Sequence, residues 1–195
     1  MKASSSGTPT SKTSAGAARA STSDLGSHRS HFELFGLEPA FRLDSASLEQ
    51  SYRDLQSLVH PDRYAAAGDA ERRASLQLTT RVNEAYRALK DPVQRAKHLL
   101  ELHGVDVGFE TNTQMPTDFL LQQLEVREDL EAARAKKDFA LLDSLKAKLR
   151  QQKTVLEAQI GESIDARNDY AGAADLVRKL MFLKRIDEEI DAAYD

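Results

Sequence analysis

From His31 onward, apolar residues recur every three or four positions, and no segment alternates apolar with polar. That is the period of an α-helix with one buried face; a half-buried strand repeats every two residues. The breaks fall where helices stop. Gly and Pro number only 9 and 5 in 195 residues, and Gly36, Pro39, Pro61, Pro92 and Gly104 stand between periodic runs. The expected fold class is therefore all-α.

A short apolar helix in HFELFGLEP ends near Gly36. Asp44 or Ser45 can cap a second helix, whose face is Leu48, Tyr52, Leu55, Leu58 and Val59. It stops at His60-Pro61, because the residue before proline avoids the α region. A third helix begins near Asp69 and presents Leu78, Val82, Ala85, Tyr86 and Leu89. Pro92 can open a fourth, where a missing N–H goes unnoticed, and Gly104 closes it. GVDVGFETNTQMPTD has no helical period and reads as a linker. Thr117 or Asp118 then caps a helix to about Lys137, followed by a long helix from Phe139 to Ile164 and a last one from Asp169 to Tyr194. Short connections make these three antiparallel neighbours. The expected organisation is a tail (1–30), an N-terminal helical unit (31–105), a linker (106–117) and a three-helix bundle (118–195).

The tail differs in composition. It is nearly all Ser, Thr, Ala and Gly, with Leu25 its only large apolar residue. Such a segment buries too little surface to offset the entropy of ordering, so disorder is expected. It has no apolar stretch of the secretory kind. Its Ser-rich, acid-poor character partly resembles an organelle transit peptide, but it lacks an amphipathic face. Lys2, Lys12, Arg19 and Arg29 stand there against Asp24 alone, so the rest of the chain is more acidic than the overall charge of −4.

Several chemistries are excluded. Cys is 0, so no disulfide, thiolate nucleophile or Cys-ligated zinc or iron–sulfur cluster is possible. A negative net charge argues against a strongly basic nucleic-acid binder. Lys136, Lys137, Lys146, Lys148, Arg150 and Lys153 are interspersed with acids and read as a solvated face. No apolar run approaches the ~18 residues needed to span a bilayer. His98 and His103 are five apart, off the i, i+4 spacing that converges on a metal, so no metal site is expected. There is no Gly-rich phosphate loop.

One short motif carries a specific signal. His60-Pro61-Asp62-Arg63 lies between two amphipathic helices of similar length. Pro61 fixes φ, and Asp62 can accept bonds in a tight turn, so a stiff polar tip would project from an antiparallel pair. Alone, such a turn could be only a helix breaker. It is flanked, however, by Phe32-x-Leu34-Phe35-Gly36-Leu37 upstream and NEAYRALKDPVQRAKH downstream. Together these resemble the J domain, the module with which co-chaperones stimulate ATP hydrolysis by DnaK-type chaperones. The resemblance implies that His60, Pro61 and Asp62 form the stimulating turn. It further implies that basic residues beside the turn, here Arg53 and Arg63, meet an acidic chaperone surface.

The second half is similar to the bundle of the HscB family, J-domain co-chaperones of iron–sulfur cluster assembly, in DFLLQQLEVREDLE and AADLVRKLMFLKRI. Neither a Gly/Phe-rich segment nor a Cys-rich zinc module is present. Helical projection places Phe119, Val126, Leu130 and Ala133 on one stripe and Leu120, Leu121 and Leu124 on a second, beside Arg127, Glu128 and Glu131. The second stripe either widens the core or forms an apolar partner patch rimmed by charge. Phe182 points away from its helix's main stripe; it could pack on the J domain or the tail, or extend the patch. The resemblance implies that Leu120, Leu121, Leu124, Glu125, Glu128 and Phe182 bind an IscU-type scaffold. It also implies a non-enzymatic, cofactor-free protein serving an HscA-like chaperone, of bacterial type, in the cytoplasm rather than the mitochondrial matrix. A J protein with another client and a purely structural adaptor are the alternatives.

Overall fold

The computed structural model describes residues 30–64, 67–108 and 115–194. Residues 1–29 of the expected tail (1–30) and residues 109–114 of the expected linker lie outside them. Among the described residues, seven α-helices run in order: α1 (His31–Leu34), α2 (Ser45–Val59), α3 (Asp69–Lys90), α4 (Pro92–Leu102), α5 (Thr117–Lys136), α6 (Phe139–Gly161) and α7 (Tyr170–Asp191). A 3-10 turn (Pro61–Tyr64) follows α2, and a π-helical turn (Glu162–Ala166) follows α6. No strand occurs among the described residues.

Caps decide where most helices begin, because the first N–H groups of a helix lack partners within it. Ser30 and Glu33 form a reciprocal capping box on α1. The Asp44 carboxylate accepts from the N–H groups of Ala46 and Ser47. Asp91 accepts from Val93 and Gln94, with Pro92 as the first residue of α4. Asp138 and Asp169 do the same for α6 and α7. Helix α5 departs from expectation. Its cap position is Pro116, with no side-chain bond, and Thr117 and Asp118 are its first helical residues. Asp118 then sits where the positive end of the helix dipole favours a carboxylate. The long helix also ends earlier than its periodicity suggests, because the chain widens into the π turn after Gly161.

Helices α2 and α3 form an antiparallel hairpin flanked by α1 and α4, and α5, α6 and α7 form the bundle. Two cores result. The larger spans both units: Phe32, Phe35, Leu89, Leu99 and Leu100 pack in one cluster with Ile160, Ile164, Val177 and Leu180 of the bundle. The smaller, around Leu130, Leu142, Leu145, Leu149 and Ile186, lies within the bundle. Leu156 touches both. Ala96 on α4 and Ala173 and Ala174 on α7 are buried where these helices meet, and small side chains let their axes approach.

Polar contacts fix this joint. The Asp165 carboxylate, on the π turn, accepts from the backbone N–H of Phe41 at 2.7 Å and of Arg42 at 2.9 Å. Phe41 is buried, and the Arg95 guanidinium lies 5.0 Å from its ring centroid. Gly161 fits closely beneath them: an added Cβ would lie 3.0 Å from the Arg42 side chain and 3.3 Å from the Phe41 ring, so these neighbours would have to shift by a few tenths of an ångström. Lys184 donates to Asp91 at 2.5 Å. Burial works against the Asp91 charge, but Lys184 and the two capping N–H groups outweigh it and hold the carboxyl below its ordinary range. Arg178 donates to the carbonyl of Val107 at 2.7 Å, and Val107 is itself buried. The start of the expected linker is thus packed into the core.

His98 explains itself here. Its Nε2 accepts from the backbone N–H of His31 at 3.1 Å, and the two imidazoles stack at 4.1 Å. Burial lowers the pKa of both, helped by Arg81 at His31 and by His31 at His98.

Two outcomes follow from these contacts. Asp165→Ala removes the acceptor for two N–H groups and should cost about 2 kcal/mol in urea unfolding; a loss under about 0.5 kcal/mol would show that the clamp contributes nothing. The histidine pair is favoured neutral in the fold, while the unfolded chain protonates near 6.5. Its stabilisation is complete above that value and is lost as pH falls from there through the lowered folded-state pKa values. The thermal midpoint should therefore drop between pH 7 and 5, and drop less in His98→Gln, whose amide oxygen can still accept from His31.

Candidate functional site

The turn after α2 is held from beneath by α3. Val59, the last residue of α2, is buried, and its carbonyl accepts from the Ser75 hydroxyl at 2.7 Å and lies 3.0 Å from the Thr79 hydroxyl. A helix C-terminus leaves such carbonyls unpaired, so these hydroxyls fix the point at which the chain departs. His60 then takes an extended conformation with ψ 129°, as its position before proline requires. The Arg63 N–H closes the turn onto the His60 carbonyl at 3.1 Å. The backbone N–H of Asp62 donates to Nδ1 of His60 at 3.3 Å, which places the proton of a neutral imidazole on Nε2.

Above this base the side chains project. His60 is 57 % exposed and Asp62 90 % exposed. The hairpin is braced by the Tyr52–Tyr86 stack at 4.0 Å and by the Tyr52 hydroxyl on Asn83 at 2.9 Å. Arg53 and Arg63 are exposed but occupied. Arg53 bonds Gln50 at 2.9 Å and lies 3.9 Å from Glu49. Arg63 donates to the carbonyl of Ser57 at 3.0 Å. Such a tip can be gripped by a partner. Among the described residues no group of three or more His, Cys, Asp or Glu could hold a metal ion, and no helix is long and apolar enough to cross a membrane.

The bundle carries a different surface. Leu120, Leu121 and Leu124 are 43, 55 and 53 % exposed, and Glu125 and Glu128 lie exposed beside them. The buried side of α5 is made instead by Gln123, Leu130 and Ala133. The three leucines therefore form a surface stripe and do not widen the core. Phe182 belongs to the same end of α5 but does not project. It is half-buried between α5 and α7, with the Phe119 ring edge-on at 5.8 Å and the Arg127 guanidinium 5.4 Å from its centroid. Arg127 also reaches Glu189 at 3.5 Å.

Ser75, Thr79, Asp165 and Gln123 escape a reading of the sequence. Ser75 and Thr79 occupy α3 at i, i+4 and bond a carbonyl sixteen and twenty residues away, which no local signal announces. Gln123 could have been found: it is four residues from Phe119 on the apolar stripe, a polar residue in a core position.

An exposed His-Pro-Asp turn on an antiparallel helical hairpin, docked on a three-helix bundle, defines a J-domain co-chaperone. Comparison with known proteins agrees. Residues 115–191 match the family described as the HSCB C-terminal oligomerisation domain. The chain is 51 % identical over 163 residues to the co-chaperone HscB homologue of Burkholderia vietnamiensis, covering 84 % of this chain and 93 % of that one. Chaperone HscB from Vibrio cholerae superposes with a TM-score of 0.74 at 34 % identity, covering 84 % of this chain and 96 % of that one. Human co-chaperone HscB superposes with a TM-score of 0.79 at 28 % identity, covering 84 % and 81 %. The chain belongs to the HscB co-chaperone family.

Proposed function

We propose that this protein stimulates the ATPase of a DnaK-type, HscA-like chaperone through the His60-Pro61-Asp62 turn and delivers to it an IscU-type scaffold held on α5, in bacterial iron–sulfur cluster assembly. The observation that carries this reading is the presence of two exposed surfaces of different chemistry on one jointed body. One is a polar tip whose base is bonded to α3; the other is an apolar stripe edged by Glu125 and Glu128. Linking two contacts through one body raises the effective concentration of each partner at the other.

Hydrolysis belongs to the chaperone. With no cysteine, this chain has no thiolate to hold a cluster and handles the scaffold rather than the cluster. Because Arg53 and Arg63 already have partners, the chaperone contact rests on the turn itself more than on charge steering. The cytoplasm is the compartment that fits a bacterial member of this family. The 106–117 segment joins the J domain, 31–105, to the scaffold-binding bundle, 118–195.

His60→Gln should abolish stimulation of the chaperone's single-turnover ATPase while leaving the thermal midpoint and scaffold binding unchanged; retained stimulation would remove the role of the turn. Leu120→Ala with Leu124→Ala should weaken scaffold binding about tenfold, some 1.4 kcal/mol. Because both side chains are largely exposed, the same change should cost the fold little, within about 0.5 kcal/mol per site. If the purified scaffold binds the double variant as well as the parent, the α5 stripe serves another client.

A further inference from the structure

Gln123 is 2 % exposed, and neither its amide nitrogen nor its amide oxygen has a hydrogen-bond partner. Its place in α5 locates it further. It lies four residues from Phe119 and four from Arg127, on the face those two residues share. Both of them touch Phe182 on α7, Phe119 by its ring and Arg127 by its guanidinium. Phe182 thus sits against the same face of α5 that carries Gln123. A buried amide without partners is destabilising, and leucine would fill the same position at no such cost. The closed seam thus carries a built-in weakness at one point. The buried apolar contacts and the Arg134 bond to the Glu189 carbonyl hold the seam further along, while the links at this end, including Lys179 over the Phe119 ring, lie at the surface. Arg127 and Glu189 form an exposed ion pair, which contributes little, and Phe182 itself is only half-buried. Leu120 and Leu124 flank Gln123 on the outer surface of the same turns.

We propose that the α5–α7 seam opens at Phe182 when the partner covers Leu120 and Leu124, and that the uncovered Gln123 amide then pairs with the partner's main chain. The inference rests on the α5 stripe being the scaffold surface. An amide side chain offers one acceptor and two donors, which match the C=O and N–H groups of an exposed backbone segment. A weakness in the closed form lowers the cost of opening, so less of the binding free energy is spent on the conformational change. Phe182, tucked away in the free protein, becomes available to the partner in the same movement. Gln123 is in this sense a positioning and recognition residue concealed beneath the visible patch.

The test uses the full chain and a purified IscU-type scaffold, with titration calorimetry, thermal unfolding and the side-chain amide signals of nitrogen-15-labelled protein. Gln123→Leu should raise the thermal midpoint by a few degrees and yet weaken scaffold binding about tenfold. In the parent, the Gln123 amide signals, identified by their loss in the variant, should shift when scaffold is added. A raised midpoint with unchanged affinity and unmoved amide signals would overturn the proposal. A lowered midpoint would overturn it too, since the amide would then be satisfied in the free chain. Leu124→Ala serves as the reference: if it weakens binding and Gln123→Leu does not, only the seam inference falls. If both bind as the parent does, the scaffold surface itself is wrong.

Discussion

Two backbone N–H groups on one carboxylate hold the molecule in its shape. Asp165 takes both Phe41 and Arg42 from a connection more than a hundred residues earlier, and it does so from within the π turn into which α6 widens. π turns are rare and expose backbone groups that an α-helix would pair, so they persist where surrounding structure demands them. Here the turn lies beside the close Phe41–Gly161 contact, where a side chain on α6 would fit only if its neighbours shifted. Apolar packing between α4 and α7 supplies most of the adhesion, and the carboxylate sets the angle. Neither would suffice alone: apolar burial is non-directional, and a single polar clamp at the surface is weak.

The same division recurs at the turn. Val59 anchors the end of α2 by burial, while hydroxyls on α3 choose the point at which the chain leaves the helix. His60 and Asp62 can then face solvent without being loose at the root. The bundle face inverts this logic. In the first turns of α5 three leucines are outside and a glutamine is inside, which is a poor arrangement for a helix that only has to fold and a reasonable one for a helix that has to exchange partners.

How far the sequence discloses this depends on the range of the interactions. The helix start at Asp44, the stop at Pro61 and the opening at Pro92 are set by residues within three positions and are legible in the sequence, whereas the caps at Asp91, Asp138 and Asp169, though equally local, go unread there. The exposure of Leu120, Leu121 and Leu124 was legible as a second stripe but not decided, since a wide apolar face and a free one look alike in projection. The packing of Val107 under Arg178, the clamp at Asp165 and the tuck of Phe182 against Phe119 join residues far apart in the chain. Periodicity has no access to them. Thr117 misled because a threonine before an apolar run resembles a cap, whereas Pro116 already occupies that position.

The joint has a consequence for size. Helix α6 has 23 residues, about 35 Å of straight rod, and its end is fastened to the α1–α2 connection rather than hinged there. A body built this way acts as a ruler. On the proposed function, two proteins gripping it, one at the hairpin tip and one along α5, would meet only if their own dimensions matched the gap it prescribes. Discrimination among partners would then come partly from girth, a property that no single contact residue encodes.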